Sequence, residues 1–385
     1  MSVDFLFPVE SSLADEIKYL HNQSIGKVIQ IHTEKTGVPD LTHAKLALIG
    51  VLEGRNAVNN EGTGDGIDQI RLEFYKLFPG NWTNALVDLG NIYKGNEVSD
   101  THFALIQTLK NLLKKNIIPI IIGGSHALTY ANYRAYDSLE QIVNLTVVDN
   151  KFDLGNNQET INSQSYLSAI ILEKPSNLFN FSNIGYQSYF VPQEELDLID
   201  SLYFDSIRLG EAKKIELAEP MLRDADIVSI DISAIRQADA SANNNATPNG
   251  FYGDEICAIA RYAGISDKVS SFGIYEYNPL LDVQNQTAQL IAQMVWYFIE
   301  GVNFRANDYP FGLKENYQKY IVPIENDDFI FYKSNKSGRW WFEINFNINN
   351  NIKRNALIPC TYQEYLEATN QEIPNRWYKT IRKLI

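Results

Sequence analysis

The strongest constraint on the fold is a regular alternation of short apolar segments with longer amphipathic ones. The apolar segments predict strands at 45–51, 85–92, 117–124, 142–149, 226–232 and 269–277. The amphipathic segments predict helices at 64–78, 101–115, 126–136, 252–264 and 286–301. Strands and helices that alternate in this way are typical of a parallel sheet with helices on both faces. We therefore expect an α/β fold, a three-layer sandwich with a mainly parallel central sheet.

The alternation stops near residue 305, which predicts a main domain over 1–304 and a C-terminal extension over 305–385. The aromatic-rich stretch 326–346 predicts a β-hairpin that turns near SNKSG. The stretch 361–384 predicts a helical segment broken near Pro374. We expect the extension to pack on the main domain.

Composition excludes some classes of partner. The formal net charge of -14 argues against nucleic acid and anionic membrane. The chain has no apolar run of membrane-spanning length and no signal-peptide pattern, and its two cysteines, Cys257 and Cys360, indicate no disulfide framework. We expect a cytoplasmic protein without a membrane partner.

Polar residues follow four of the predicted strands. They are His126 after one strand, Asp149 and Asp153 after the next, and then Asp231 and Glu276. Ligands of parallel sheets bind beyond the carboxyl ends of the strands, and carboxylates with imidazole are the ligands of divalent metals. In an extended chain Asp149 and Asp153 share one face, with Lys151 between them. The pattern favours a metal site at this edge.

Two other interpretations compete with a metal site. Each aspartate could instead cap a neighbouring helix, which is common at such junctions. Gly123-Gly124 could cradle a phosphate, but the chain lacks a G-x-G-x-x-G pattern and a following lysine–serine/threonine pair, so a nucleotide site is disfavoured. The convergence of four strand ends favours a site over separate caps.

Five ordered motifs resemble those of the ureohydrolases, the family of arginase, agmatinase and formimidoylglutamase. The similarity spans about 44–302, and this span includes the early loop GVLEGRNAVNNEGTGDGIDQIR. The five motifs are IIIGGSHALTY, VVDNKFD, SIDIS, the loop ATPNGF, and the helix entry IYEYNPLLDVQNQTAQLIAQMVWYFI. The resemblance implies the three-layer fold. It also implies hydrolysis of a guanidine or formimino carbon by a hydroxide held between two manganese ions.

Carried over residue by residue, the resemblance implies a degraded metal centre. The four ligands of one metal are present, and these are His126, Asp149, Asp153 and Asp231. The second metal needs a histidine at Lys151 and an aspartate at Ser233. Ser125 also replaces an aspartate, and Tyr166 stands nearest to the position of a proton-shuttling histidine. No histidine follows His126 anywhere in the chain, so no downstream rearrangement restores a second imidazole ligand.

These departures lead to two functional hypotheses. The first is a protein with at most one Mn²⁺ or other divalent ion, or none, whose hydrolase activity is lost or reduced and which acts in binding or assembly. The alternative is an active mono-metal hydrolase of C–N bonds in a guanidino or formimino compound, with Asp153 and Glu276 as catalytic residues. Glu276 matches the family glutamate that contacts the guanidinium. The expected partners are a small cationic amidine or guanidino ligand and a protein partner or second copy.

Two side-chain placements remain open at this point. Lys151 is expected to occupy the place of the second metal and bridge Asp149 to Asp231, unless it turns out to solvent. In the hairpin, alternation places Trp340 and Trp341 on opposite faces, so one of them is expected to be exposed as an interface. The alternative is that the whole hairpin packs as core on the α/β body.

Overall fold

The main body is a nine-stranded parallel sheet in a computed structural model that describes residues 5–139, 141–155, 160–308, 314–324, 327–348 and 352–384. The strand order is β1-β3-β2-β4-β9-β8-β5-β6-β7, and every neighbouring pair is parallel. The strands are β1 Gln30–Ile31, β2 Ala44–Val51, β3 Ala85–Ile92, β4 Ile118–Gly123, β5 Val143–Val148, β6 Leu178–Tyr186, β7 Asp205–Arg208, β8 Ile227–Asp231 and β9 Ser271–Tyr275.

Helices cover both faces of this sheet. Along β2, Leu46 and Leu48 enter one apolar core while Ala47 and Ile49 enter the other, as the two-residue period of a strand requires. The three-layer α/β prediction is therefore confirmed. The helices are α1 Ser11–Glu16, α2 Ile25–Val28, α3 Ile67–Lys76, α4 Val98–Leu113, α5 Leu128–Arg134, α6 Tyr166–Leu172, α7 Gln193–Ser201, α8 Leu209–Ala212, α9 Ile215–Asp224, α10 Gly253–Ile265 and α11 Gln286–Asn303.

Within the described residues, no helix combines the length and the apolar character needed to cross a membrane.

The C-terminal extension is a four-stranded antiparallel sheet followed by two helices. The strands, in the order β10-β11-β12-β13, are β10 Tyr317–Ile324, β11 Asp327–Ser334, β12 Trp340–Ile348 and β13 Ile352–Cys360. The predicted hairpin is present as the β11–β12 pair, but two further strands flank it. Helices α12 Tyr362–Thr369 and α13 Asn375–Leu384 lie on either side of Pro374, which confirms the predicted break. The domain boundary at 304 stays a prediction.

Both tryptophans of the hairpin are buried, so the prediction that one of them is substantially exposed is wrong. Trp340 is 7% exposed and Trp341 is 1% exposed. Alternation does place them on opposite faces of the sheet, but a helix packs against the tryptophan on each face. Trp340 stacks on Tyr365 of α12, with ring centroids 4.7 Å apart, and Trp341 lies under the guanidinium of Arg223 of α9 at 4.5 Å. The side chain of Phe346, another aromatic residue of the predicted hairpin, lies outside the described residues.

Helix α13 lies beside the start of β7, the outermost strand of the main sheet. The ammonium of Lys379 donates a hydrogen bond of 2.7 Å to the carbonyl of Phe204, and Lys383 donates to the side chain of Asn180. These two bonds, with the three cationic side chains of α13 near Asp205, tie the helix to the main sheet beside the start of β7.

Candidate metal centre

The predicted site residues meet at one edge of the main sheet. Strands β4, β9, β8 and β5 are consecutive neighbours in the sheet. His126 follows β4, Asp149 follows β5, Asp231 ends β8 and Glu276 follows β9. Because all these strands are parallel, their carboxyl ends lie side by side, and the loops after them deliver side chains to one place.

The centre of the site is the Nδ1 atom of His126. It lies 3.3 Å from Oδ2 of Asp149, 3.4 Å from Oδ2 of Asp153 and 3.5 Å from Oδ2 of Asp231. Candidate ligand atoms of His126, Asp149 and Asp153 all lie within 4.8 Å of one another. Oxygens of all three aspartates therefore lie near this nitrogen, and His126, Asp149 and Asp153 form a compact group of candidate metal ligands with Asp231 beside it.

Two atoms of this cluster lack an aligned hydrogen bond within the described part of the chain. They are Nδ1 of His126 and Oδ2 of Asp153, and both are buried. Buried polar atoms in folded proteins almost always have a partner. The donor set, one nitrogen with carboxylate oxygens, suits a divalent cation such as Mn²⁺ or Zn²⁺. The residues present therefore fit one metal ion.

The electrostatics of the cluster show a shortage of positive charge. Burial and the neighbouring charge of Asp149 raise the pKa of Asp153 well above its ordinary value, and the same two causes raise the pKa of Asp231. Burial alone would lower the pKa of His126, but the surrounding carboxylates outweigh it and raise that pKa well above its ordinary value. A bound cation would relieve the repulsion among the carboxylates.

A buried hydroxyl pair holds the imidazole ring in place. Nε2 of His126 lies 2.9 Å from Oγ of Ser229, and this oxygen lies 2.6 Å from Oγ1 of Thr129. The contact turns Nδ1 towards the carboxylates, as partners of metal-ligating histidines do. The sequence analysis missed both hydroxyls. The available signal for Ser229 was its position two residues before Asp231, which places both side chains on one face of β8.

The backbone of the site is locally unusual. Asp153 has φ +56° and Glu276 has φ +72°, the left-handed region that residues with a side chain rarely adopt. Such strain persists only where surrounding contacts fix it, and it is concentrated at functional sites.

Glu276 contacts the backbone of His126 and is 1% exposed. Its Oε1 accepts a hydrogen bond of 2.8 Å from the backbone N–H of His126, and its Oε2 accepts one of 2.8 Å from Nδ2 of Asn60. Burial, with the charge of Asp231 as the next cause, raises the pKa of Glu276 to about 8. Both carboxylate oxygens are thus held by neutral donors.

The hypothesis that Lys151 bridges Asp149 to Asp231 is wrong. Among the described residues, Lys151 forms no ion pair with either aspartate, and its ammonium lies 6.0 Å from the ring centroid of Phe190. Strand β5 ends at Val148, and the backbone N–H of Lys151 donates to Oδ1 of Asp149 at 3.2 Å. This turn takes Lys151 out of the strand alternation. Its side chain is half-buried, so it does not simply point to solvent either.

The remaining substituted positions provide no second set of ligands. Ser233 donates its backbone N–H to Oδ1 of Asp231 at 2.6 Å, and its hydroxyl lies 3.5 Å from Oδ1 of Asp149. The hydroxyl of Ser125 accepts a local hydrogen bond from the N–H of Ala127. Tyr166 is fully buried with its hydroxyl 3.5 Å from Nε2 of His126, on the side of the ring away from the carboxylates. Burial and the nearby aspartates raise the pKa of Tyr166 well above its ordinary value, so the phenol keeps its proton.

Residues 44–300 match the family model described as "Arginase family". The chain belongs to the arginase family. A formimidoylglutamase of Staphylococcus aureus (strain MSSA476) is 25% identical over 302 residues, which cover 75% of this chain and 95% of that relative. The family-model match over residues 44–300 includes every residue of the candidate centre.

Solved structures of arginase-family proteins share the fold. The Trypanosoma cruzi formiminoglutamase with Mn²⁺₂ superposes with a TM-score of 0.65 at 17% identity, covering 73% of this chain and 99% of that one. The formimidoylglutamase from Bacillus subtilis subsp. subtilis str. 168 gives a TM-score of 0.63 at 18% identity, covering 78% and 100%. The ureohydrolase resemblance predicted from the motifs is therefore confirmed at the level of family and fold.

Proposed function

We propose that this arginase-family protein holds at most one divalent cation, at His126, Asp149, Asp153 and Asp231. Its hydrolase activity towards guanidino and formimino compounds is lost or much reduced, and its role is in binding or assembly. One observation supports the proposal: at the two positions where the family resemblance puts an imidazole and a carboxylate for a second ion, this chain has Lys151, whose ammonium lies 6.0 Å from the ring centroid of Phe190, and Ser233, whose hydroxyl lies 3.5 Å from Oδ1 of Asp149.

The chemistry of these two side chains supports the proposal. A protonated ammonium has no lone pair to offer a metal, and a neutral serine hydroxyl is a far weaker ligand than a carboxylate. A divalent ion bound at the remaining cradle supplies Lewis-acid chemistry. His126, Asp149, Asp153 and Asp231 would hold and bury that ion, and Ser229 fixes the orientation of the imidazole.

The class of ligand follows from the relatives. The Staphylococcus aureus relative is a formimidoylglutamase. We therefore propose that the site derives from one that recognised a formimino or guanidino compound. The partner of the protein in a binding or assembly role is proposed to be another protein or a second copy of the chain.

Metal stoichiometry tests the proposal. The full-length protein is loaded with manganese, freed of weakly bound ions and analysed for metal content, and one equivalent or fewer is expected. Arginine, agmatine and formiminoglutamate should then give negligible release of urea or formamide. Two tightly bound equivalents, or robust manganese-dependent turnover, would overturn the proposal.

A second candidate function is an active mono-metal hydrolase, with Asp153 and Glu276 as the catalytic carboxylates. One observation favours this candidate: Nδ1 of His126 and Oδ2 of Asp153 have no aligned hydrogen-bond partner within the described residues. Both atoms are therefore free to bind a single metal ion. The two candidates differ in one measurement. Turnover that needs a single equivalent of metal and disappears with a chelator supports the hydrolase.

A further inference from the structure

The side chain of Asn60 fills the space beside Glu276. Asn60 lies in the loop between β2 and α3 and is 0% exposed. Its Nδ2 donates to the backbone carbonyl of Glu276 at 2.9 Å and to Oε2 of the same residue at 2.8 Å. Its Oδ1 accepts from the N–H of Asn244 at 3.3 Å and from Nδ2 of Asn278 at 3.2 Å. The carboxamide is therefore fully hydrogen-bonded.

This pattern of partners fixes the orientation of the carboxamide. Both groups that face Nδ2 are acceptors, and both groups that face Oδ1 are donors. Turning the amide over would set an oxygen against two acceptors and leave two donors unpaired. Asn60 must therefore present N–H groups to Glu276.

Glu276 is a buried acidic group without a cationic partner among the described residues. Its oxygens accept from the backbone of His126 and from Asn60, and it forms no ion pair with a lysine or arginine in the described ranges. A buried carboxylate normally pairs with a positive group. The planar N–H edge of an amidinium or guanidinium ion is the strongest neutralising partner for such a group.

We call the space that faces Oε2 of Glu276 the Glu276 subsite. We propose that the neutral carboxamide of Asn60 fills this subsite and stands where the N–H edge of a cationic amidine would otherwise bind. This inference rests on the proposed function. It adds a second reason for weak amidine binding, and this reason does not depend on how many metal ions are bound. Asn60 is thus a specificity-determining residue that closes the subsite to amidines.

The surrounding loops keep Asn60 in this position. Nδ2 of Asn278 also donates to the carbonyl of Glu61 at 2.6 Å, and Nδ2 of Asn245 donates to the carbonyl of Val58 at 3.0 Å. The loop that carries Asn60 is thus tied to the asparagine-rich loop 241–250 and to the residues after β9. A small amidine cannot displace Asn60 without breaking several of these hydrogen bonds together.

The inference is tested by removing the Asn60 carboxamide by mutation and measuring whether a small added ligand binds in its place. Asn60→Ala removes a group of the size of formamide, and formamidinium has nearly the same shape with a positive charge. Full-length Asn60→Ala is expected to bind formamidinium at least about tenfold more tightly than the wild type, as measured by calorimetry. It should also prefer formamidinium to neutral formamide by about tenfold.

Two further variants assign the gain to Glu276. Asn245→Ala, which also removes a loop-tying carboxamide but does not touch Glu276, should bind formamidinium no better than the wild type. Adding Glu276→Gln to Asn60→Ala should abolish the preference for formamidinium over formamide. No gain for Asn60→Ala, or an equal gain for Asn245→Ala, would overturn the inference.

A measurement on the wild type covers the case in which Asn60→Ala does not fold. The side-chain amide resonances of Asn60 should stay unchanged while formamidinium is added. Saturable shifts of these resonances would show that the ligand displaces Asn60 and would contradict the inference. Metal content distinguishes a failure of this inference from a failure of the proposed function. Two bound equivalents of metal, with tighter formamidinium binding by Asn60→Ala, would refute only the proposed function. One equivalent, without tighter formamidinium binding by Asn60→Ala, would refute only the inference.

Discussion

The ammonium group of Lys151 lies 6.0 Å from the ring centroid of Phe190 and, within the described residues, forms no ion pair with the carboxylates around His126. Because Lys151 forms no ion pair with Asp149 or Asp231 in the described part of the chain, its charge does not take the place of a metal ion in the cluster. The cluster is therefore left with His126 as its only potential cation in the described residues. This placement favours a site that needs one added ion.

Restoring both missing ligands should restore a second metal site. We expect the double variant Lys151→His with Ser233→Asp to raise manganese content from at most one equivalent to about two, because it supplies the imidazole and the carboxylate that the second ion lacks. Metal analysis of the purified variants checks this. Lys151→Met with Ser233→Ala, which removes the same groups without adding ligands, should stay at the wild-type value. A double variant that also stays there would show that the loop geometry, and not the side chains, excludes the ion.

Removing the imidazole should abolish binding of the first ion. In the wild type, saturating Mn²⁺ should raise thermal stability, by about 2.7 kcal/mol at a hundred times the dissociation constant. His126→Asn keeps a polar side chain but loses the Nδ1 ligand, so its melting temperature should not respond to Mn²⁺. His21→Asn changes an exposed histidine and should respond as the wild type does. A full response of His126→Asn would place the ion elsewhere.

The sheet was predictable where apolar residues dominate a strand, and a strand with several polar residues in its middle was missed. Strand β4, with its run of isoleucines, was predicted within one residue at each end. Strand β6 was missed because Asn180, Ser182 and Asn183 break its apolar pattern. These side chains are buried with partners supplied by distant parts of the chain: Asn180 donates to Asp205, and Asn183 donates to the carbonyl of Lys151. Such tertiary compensation has no local signature.

The site shows the same division between local and distant signals. The four candidate ligand positions stand at strand ends and in family motifs, so they could be picked out from the sequence. The roles of Thr129 and Asn60 depend on hydrogen bonds to residues 100 and 216 positions away, Ser229 and Glu276. The direction of Lys151 depended on a turn that begins one residue after β5. One sequence without contacts could reveal none of these relationships.

Both hairpin tryptophans should behave as core residues. Trp340→Ala removes a stack on Tyr365, and Trp341→Ala removes the ring beneath Arg223 and opens the contact with α9. Each substitution should destabilise the protein by about 3–5 kcal/mol, measured by urea denaturation. Tyr362→Ala removes an aromatic residue that is 54% exposed and should cost much less. A tryptophan variant of near wild-type stability would show that its face of the sheet is not covered in solution.

The contact between α13 and β7 should give a distinct pH dependence of stability through Asp205. Burial would raise the pKa of this carboxyl, but Arg376, Lys383 and Lys379 of α13 outweigh burial and lower the pKa below its ordinary value of 3.8. A carboxyl whose pKa is lower in the folded state stabilises the fold above its unfolded pKa, and this contribution is lost as pH falls through the folded pKa. Asp205→Asn should therefore destabilise the protein by about 2 kcal/mol at pH 7.

The difference from wild type should shrink as the pH falls below the ordinary value of 3.8, because the wild-type carboxyl then also becomes neutral. Urea midpoints of the two proteins across this range provide the measurement. The exposed Asp197→Asn should leave stability nearly unchanged at every pH. A gap between Asp205→Asn and wild type that is constant with pH would show that Asp205 acts through its hydrogen bond to Asn180, and not through its charge opposite the cationic face of α13.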